Sequence, residues 1–148
     1  MKRFRFPLES ARRWRETQLA LEEAKYRLIL ARIGAATRSI EDLQETAAQE
    51  RRALRSAATL QGGQLAQFED FQRFAGQEMR RLQAECKRWQ EEAARQLEKR
   101  NLADRNLQLL EKLKETQRAE WRIEEGKELQ ELADEAYSAR LARLMAGK

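Results

Sequence analysis

The first half of the chain carries apolar residues at alternating steps of three and four, which is the spacing of a heptad coiled coil. The stripe is nearly unbroken from Tyr26 to Leu43 and predicts a packing face along a long helix. Pro7 suits the start of this helix, because the N–H that proline lacks has no partner in a first turn. We expect helix one over about residues 7–59, with two seam positions that are filled by Leu19, Tyr26, Ile33, Ile40, Ala47 and Leu54 and by Ile29, Ala36, Leu43 and Ala57.

A second heptad frame follows the only pair of adjacent glycines, Gly62-Gly63. Glycine adopts turn conformations at low cost, so we expect a bend over about residues 60–64 and helix two over about residues 65–145. In an alternative, a kink over residues 72–77 around Gly76 delays the start of helix two. The frame predicts one coiled-coil domain over residues 1–148, with helix two packing through Leu65, Phe68, Ala75, Met79, Leu82, Cys86, Trp89, Ala93, Ala103, Leu107 and Leu110.

Two seams joined by a short bend favour an antiparallel hairpin over one extended helix that pairs with a second copy. The expected fold is therefore all-α, with two long helices in an antiparallel coiled-coil hairpin. In this register Ile40 lies near Glu85 and Leu8 lies near Thr116, so residues beyond about 118 overhang and the second helix is the longer one. The apolar pattern weakens after Leu110 and resumes at Leu129, Leu132, Ala136 and Ala139.

The composition narrows both fold and function. Ala, Glu, Lys, Leu and Arg make up 94 of the 148 residues, and valine is absent, which favours long helices and excludes sheets. The chain has no histidine, a single cysteine and no glycine-rich phosphate loop, so zinc sites and nucleophile–base pairs are excluded. We expect no enzymatic activity, no cofactor, no metal and no small-molecule substrate. No apolar stretch approaches a membrane span, and we expect a soluble protein that is not exported.

The formal charge of +5 is concentrated at one end of the chain. Residues 1–15 contain six Lys or Arg and one Glu, so the two signs balance over the remaining residues. Interleaved charges are typical of a helix surface crossed by ion pairs, whereas nucleic-acid binders more often carry an extended basic face. The basic end is therefore a candidate docking surface for an acidic partner, with a merely solvated end as the alternative.

Two sets of apolar residues include side chains outside both seams, although Phe68 of the second set is itself a seam residue. One set recurs at seven-residue spacing on a line that faces water in a two-helix hairpin, which suggests a second partner surface; scattered surface residues, or Trp14 folding over Phe4 and Phe6, are the alternatives. A second set of three phenylalanines follows the bend, where it provides interface anchors or closes the bend by local packing. The two sets are Trp14, Leu21, Leu28 and Ala35, and Phe68, Phe71 and Phe74.

Three segments of the chain, taken in order, resemble the bacterial flagellar export protein FliJ family. The first is FRFPLE at residues 4–9, followed by Arg15-Glu16 and a long heptad helix. The second is a glycine-containing bend followed by LAQFEDF at residues 65–71. The third is LEKLKE at residues 110–115, which leads to LADEA at residues 132–136. The resemblance spans almost the whole chain.

This resemblance implies a central stalk of the flagellar type III export apparatus, located in the cytoplasm and peripherally at the inner face of the cell membrane. The implied partners are a hexameric export ATPase, the cytoplasmic domain of an export gate membrane protein, and export chaperones. The implied ATPase-binding end contains Phe4, Phe6, Leu8, Arg12, Trp14, Leu129, Leu132, Leu141 and Leu144. The implied gate-binding tip contains Phe68, Phe71, Phe74 and Ala75. Tyrosines that the family often carries on helix one near this tip are absent from residues 47–54.

Two other functions stay open at this point. The stalk of a virulence-type III secretion ATPase shares the same architecture and mechanism. A homodimeric coiled-coil scaffold belongs to a different class, and it predicts a dimer whose mass does not fall on dilution.

Overall fold

The computed structural model describes residues 2–57, 59 and 62–147. It contains two helices, α1 over Glu9–Ser56 and α2 over Gly62–Ala146, and no strand among the described residues. The two helices pack against each other in an antiparallel hairpin, with Glu23 bonded to Arg100 and Glu9 to Lys114. The predicted all-α fold with a longer second helix is therefore confirmed.

The helix α1 begins at Glu9, two residues after the predicted start at Pro7. Pro7 lies instead in a turn, where the Glu9 amide donates a hydrogen bond to the Phe6 carbonyl oxygen at 3.2 Å. The first helical bond follows, from the Arg12 amide to the Leu8 carbonyl oxygen at 2.9 Å. Proline fixes φ at a value that suits this turn position as well as a first helical turn, so sequence alone did not separate the two.

The two glycines do not form the predicted bend, because α2 already begins at Gly62. No described glycine has a positive φ, and α2 continues through Gly76 without interruption. A glycine in a first helical turn needs no special conformation, and its cost of about 1 kcal/mol against alanine does not end a helix. The predicted end of α1 at about residue 59 is three residues too late, and the part of the bend at residues 60–61 lies outside the described residues.

Residues 20–102 form one compact unit, in which the two predicted seams supply the core. Ile29 and Ala36 from α1 are buried, as are Leu82 and Ala93 from α2, and nearly all the other seam residues are half-buried. The seams are wrong only at their ends, where Ala57 and Leu65 are exposed. The heptad pattern therefore located the packing faces.

Residues 2–19 and 103–147 belong to a second compact unit. Its buried residues are Phe6, which precedes α1, and Leu107 on α2. From residue 126 to residue 147 every side chain is exposed, so the last part of α2 has no packing partner among the described residues. The overhang is therefore present in this unit, but it begins at residue 126 and not at about residue 118, because Phe4 packs against Trp121.

Candidate partner-binding surfaces

The segment before α1 folds onto α2 through two aromatic side chains. The ring centroid of Phe4 lies 5.9 Å from that of Trp121, with the planes inclined by 51°, which is a favourable geometry for an aromatic pair. Phe6 is only 7% exposed. The turn at Pro7 brings both phenylalanines back from the start of α1, so the segment of residues 2–8 is held against the helix. Trp121 thus finds its packing partner within the chain.

Glu9 joins this segment to α2 electrostatically. Its carboxylate accepts hydrogen bonds from Arg12 at 2.8 Å and from Lys114 at 3.0 Å, and Arg13 lies 3.7 Å away. The hydrogen bond from Arg12, followed by that from Lys114, lowers the pKa of Glu9 from 4.5 to about 2. Because Glu9 also lies in the first turn of α1, the helix dipole favours its negative charge.

A groove of about 830 Å³ runs between the folded-back segment and α2. We call it the basic groove. Six cationic side chains and two carboxylates line it together with Phe4, Phe6 and Trp121. The charged lining residues are Arg3, Arg5, Arg13, Lys114, Arg118 and Arg122, with Glu9 and Glu125 as the acids.

The exposed end of α2, residues 126–147, is the second surface of this unit, and we call it the tail. It carries several large apolar side chains, and Leu129, Leu132 and Leu144 are each at least 58% exposed. Its first half is acidic and its second half contains Arg140 and Arg143. A helix with this much uncovered apolar surface is typical of a partner-binding element.

The structure divides the N-terminal residues of the implied ATPase-binding end into two groups. Phe6 is buried and Phe4 is half-buried against Trp121, so both hold the segment in place and present little surface. Arg12 is half-buried in ion pairs with Glu9 and Glu16.

Leu8 and Trp14 are exposed, at 41% and 54%. The ring contacts of the described residues do not support the alternative in which Trp14 covers the two phenylalanines. Phe4 packs against Trp121, and the Trp14 ring lies 4.8 Å from the Arg15 guanidinium. Leu8 and Trp14 are therefore the N-terminal residues of this set that are best placed to touch a partner.

The predicted tip residues lie in the other unit, where α2 begins. Phe68 and Phe71 are half-buried and line two adjoining grooves of about 380 and 400 Å³, one towards Leu54 and one towards Ala47. These grooves are open because α1 offers mainly alanine and polar side chains opposite the rings. Ala75 lines the second groove, whereas Phe74 lines neither groove and is 58% exposed.

The seam also contains polar contacts that were not predicted from the sequence. Gln96 is the most buried polar residue described, at 4% exposed, and it donates hydrogen bonds to the carboxylate and, at 3.1 Å, to the backbone oxygen of Glu22. Arg100 forms an ion pair with Glu23 at 3.1 Å. Gln96 lies seven residues after Trp89 and therefore occupies a seam position. It was not predicted as a seam residue because it is polar.

Neither a metal site nor a membrane span is found in the described part of the chain. No cluster of three or more Cys, Asp or Glu side chains among these residues is placed to bind a metal ion. Neither α1 nor α2 contains a stretch apolar enough to cross a bilayer.

Comparisons with known proteins add no relative to this picture. No family model, no curated protein and no solved structure matches the chain.

Proposed function

We propose that this chain is the non-enzymatic coiled-coil stalk of the bacterial flagellar type III export apparatus. The basic groove region and the tail insert into the ring of the hexameric export ATPase and promote its activity and assembly. The tip at Phe68, Phe71 and Phe74 engages the cytoplasmic domain of the export gate membrane protein, and export chaperones are further partners. The chain works in the cytoplasm, peripherally at the inner face of the cell membrane at the flagellar base.

The observation that carries this proposal is the tail. Residues 126–146 remain helical although none of them is covered, and four leucines of this helix are exposed. Burying a leucine side chain contributes roughly 1.5–3 kcal/mol, so a partner that covers these residues gains substantial binding energy. Insertion into a ring-shaped partner covers the tail along its length. At 3.6 residues per turn Leu129, Leu132, Leu141 and Leu144 lie within about half of the helix circumference, so they contact the subunits on one side of the ring.

A stalk acts on an ATPase through differential affinity. Only a ligand that binds some subunit conformations better than others shifts their equilibrium. The exposed leucines of the tail occupy only about half of its circumference, so the subunits that surround it meet different surfaces. The stalk therefore needs no catalytic residue of its own.

The ATPase-binding end is tested by titrating the purified chain into the flagellar export ATPase of the same organism, with ATP turnover and hexamer formation as readouts. Wild type is expected to stimulate turnover saturably. The variant Leu132→Ser/Leu141→Ser should lose most of this stimulation without losing helicity, because both residues are exposed.

A matched control is Leu102→Ser/Leu109→Ser, which alters two leucines that are 56% and 66% exposed and lie outside the tail. It should stimulate like wild type. Absence of stimulation by wild type at high concentration contradicts the proposed function, and equal loss in both variants contradicts the assignment of the tail.

The tip is tested by binding to the isolated cytoplasmic domain of the export gate protein. The variant Phe71→Ala/Phe74→Ala should bind more weakly, while its stimulation of the ATPase is retained. A change in ATPase stimulation without a change in gate binding contradicts this assignment.

A homodimeric scaffold is the second candidate, since the exposed leucines of the tail also suit a second copy of the chain. Analytical ultracentrifugation separates the two functions. A scaffold stays dimeric on dilution, whereas a stalk is monomeric at low concentration and forms its stable complex with the ATPase. Testing the ATPase of a virulence-type apparatus in the same assay separates the two kinds of stalk.

A further inference from the structure

Four arginines of the basic groove have no anionic partner in the described part of the chain. Arg3 and Arg5 come from the folded-back segment, and Arg118 and Arg122 come from α2. All four side chains are exposed, and none of them forms an ion pair with a described residue. The positive charge of these four side chains is therefore not neutralised by ion pairs with described residues.

The two carboxylates of the groove do not neutralise these arginines. Glu9 is already bound by Arg12 and Lys114, with Arg13 close by. Glu125 is then the single carboxylate left for four guanidinium groups. The groove therefore carries an excess of positive charge that favours an anionic ligand.

The packing of aromatic residues makes this charge a composite site. Phe4 lies between Arg3 and Arg5 in sequence, and its ring contacts Trp121, which lies between Arg118 and Arg122. This single contact therefore brings two pairs of arginines, from two parts of the chain, to the same groove. Neither segment forms the site without the other.

The spacing of the arginines favours a chain of carboxylates over one compact anion. Arg118 and Arg122 are one helical turn apart, which is a rise of about 6 Å along α2. Alternate side chains on an extended peptide are separated by about 6.6 Å, and the guanidinium fork matches a carboxylate in geometry. The groove is also open, with a volume of about 830 Å³, and is lined by side chains from both segments.

We propose that the basic groove binds an acidic peptide segment of a partner protein, with Arg3, Arg5, Arg118 and Arg122 as the carboxylate-binding residues. In the stalk function, on which this assignment of the partner rests, the export ATPase supplies that segment. The peptide site itself is a property of the chain and is measurable without the ATPase.

The test uses a fluorescently labelled peptide in which Glu and Ser alternate over about ten residues, and follows its anisotropy with the full-length chain. Wild type should bind it, with an affinity that falls as salt is raised, and should not bind the same peptide with Gln in place of Glu. The variant Arg118→Gln/Arg122→Gln should weaken binding by about tenfold, since two charge-assisted contacts are lost.

Two further variants distinguish binding in the basic groove from an effect of net charge and from an effect of unfolding. Arg51→Gln/Arg55→Gln removes the same charge from two exposed arginines one turn apart on α1, outside this unit, and should bind like wild type. Trp121→Ala keeps every charge but removes the contact with Phe4, and should weaken peptide binding because Arg3 and Arg5 are no longer held at the groove. Thermal unfolding of each variant confirms that it is folded.

Equal weakening of peptide binding by both double-arginine variants contradicts a binding site in the basic groove, since it indicates that the peptide responds to net charge alone. Binding to anionic lipid vesicles without binding to the peptide also overturns it. If the peptide binds as expected but the ATPase is not stimulated, the groove stands and the stalk function fails. If the ATPase is stimulated equally by wild type and by Arg118→Gln/Arg122→Gln, the stalk function stands and the ATPase is not the source of the acidic segment.

Discussion

The Nζ atom of Lys114 lies 3.0 Å from Oε2 of Glu9, a residue 105 positions earlier in the chain. The same carboxylate accepts hydrogen bonds from Arg12 in the first turn of α1. Glu9 therefore ties the beginning of α1 both to its own first turn and to α2. The folded-back segment and the basic groove depend on the position that this link fixes.

The link at Glu9 predicts a dependence of stability on pH. The pKa of Glu9 is about 2 in the folded chain against an ordinary value of 4.5. A carboxyl group with a lowered pKa stabilises the folded state above its unfolded pKa, and this contribution is lost as the pH falls through the folded pKa. The thermal midpoint of wild type should exceed that of Glu9→Gln by a constant margin above about pH 5, and the margin should vanish towards pH 2.

Circular dichroism melts of both proteins over this pH range measure the margin. A margin that does not change with pH contradicts the role given to the Glu9 carboxylate.

Phe6 should matter for stability more than its place outside any helix suggests. It is 7% exposed, and Phe6→Ala should cost about 3 kcal/mol, at the lower end for a buried phenylalanine because the adjoining groove is open to water. Trp14→Ala, at a side chain that is 54% exposed, should cost less than about 1 kcal/mol. Urea denaturation measures both, and hydrogen exchange should place the loss of protection in residues 9–19. Equal costs for the two variants contradict this ranking.

The seams were predictable because a heptad repeat states directly which side of each helix is buried. Ile29, Ala36 and Leu82 lie in the core where the spacing placed them. The position of residues 2–8 was not predictable in this way, because an irregular segment has no period to show which face it covers. The Phe4 contact with Trp121 also joins residues far apart in the sequence, so no local pattern contains it.

The candidate surfaces were predictable to the extent that exposure follows from the same repeat. Trp14 and Leu28 face solvent, as expected for positions beside the seam. Arg118 and Arg122 were missed, because they acquire a role only when the folded-back segment lies beside them. A groove formed by two distant segments is not predictable from the helical pattern of either segment alone.

The stability of the fold should fall when a second negative charge is introduced at the contact between Gln96 and Glu22. In Gln96→Glu a carboxylate replaces the donor amide against the Glu22 carboxylate, and the variant should be destabilised by about 1–3 kcal/mol. The double variant Glu22→Gln/Gln96→Glu restores a donor and an acceptor between the two side chains but not the hydrogen bond to the Glu22 backbone oxygen, so it should recover only part of this loss. A thermodynamic double-mutant cycle from denaturant unfolding measures the coupling, and an additive result contradicts a direct contact.

Gly126 is a site at which the tail can be strengthened without new contacts. A Cβ placed there meets nothing within 4 Å, and no described glycine has a positive φ. Gly126→Ala should therefore stabilise the local helix by about 0.5–1 kcal/mol through helix propensity alone. Hydrogen exchange over residues 126–146 should slow by a few fold, while exchange in residues 20–102 stays unchanged. Unchanged exchange in the tail indicates that the glycine has a role beyond propensity.

The tail is continuous with a packed helix, and this continuity decides how it melts. An isolated helix of about twenty residues is marginal in water because its first turn is costly to form. Here α2 passes from the covered residues around Leu107 straight into the tail, so that nucleus already exists. The helix of the tail should therefore unwind progressively from its carboxyl end. Temperature, salt and a bound partner set how many residues of the tail are helical. The length of α2 depends on that number.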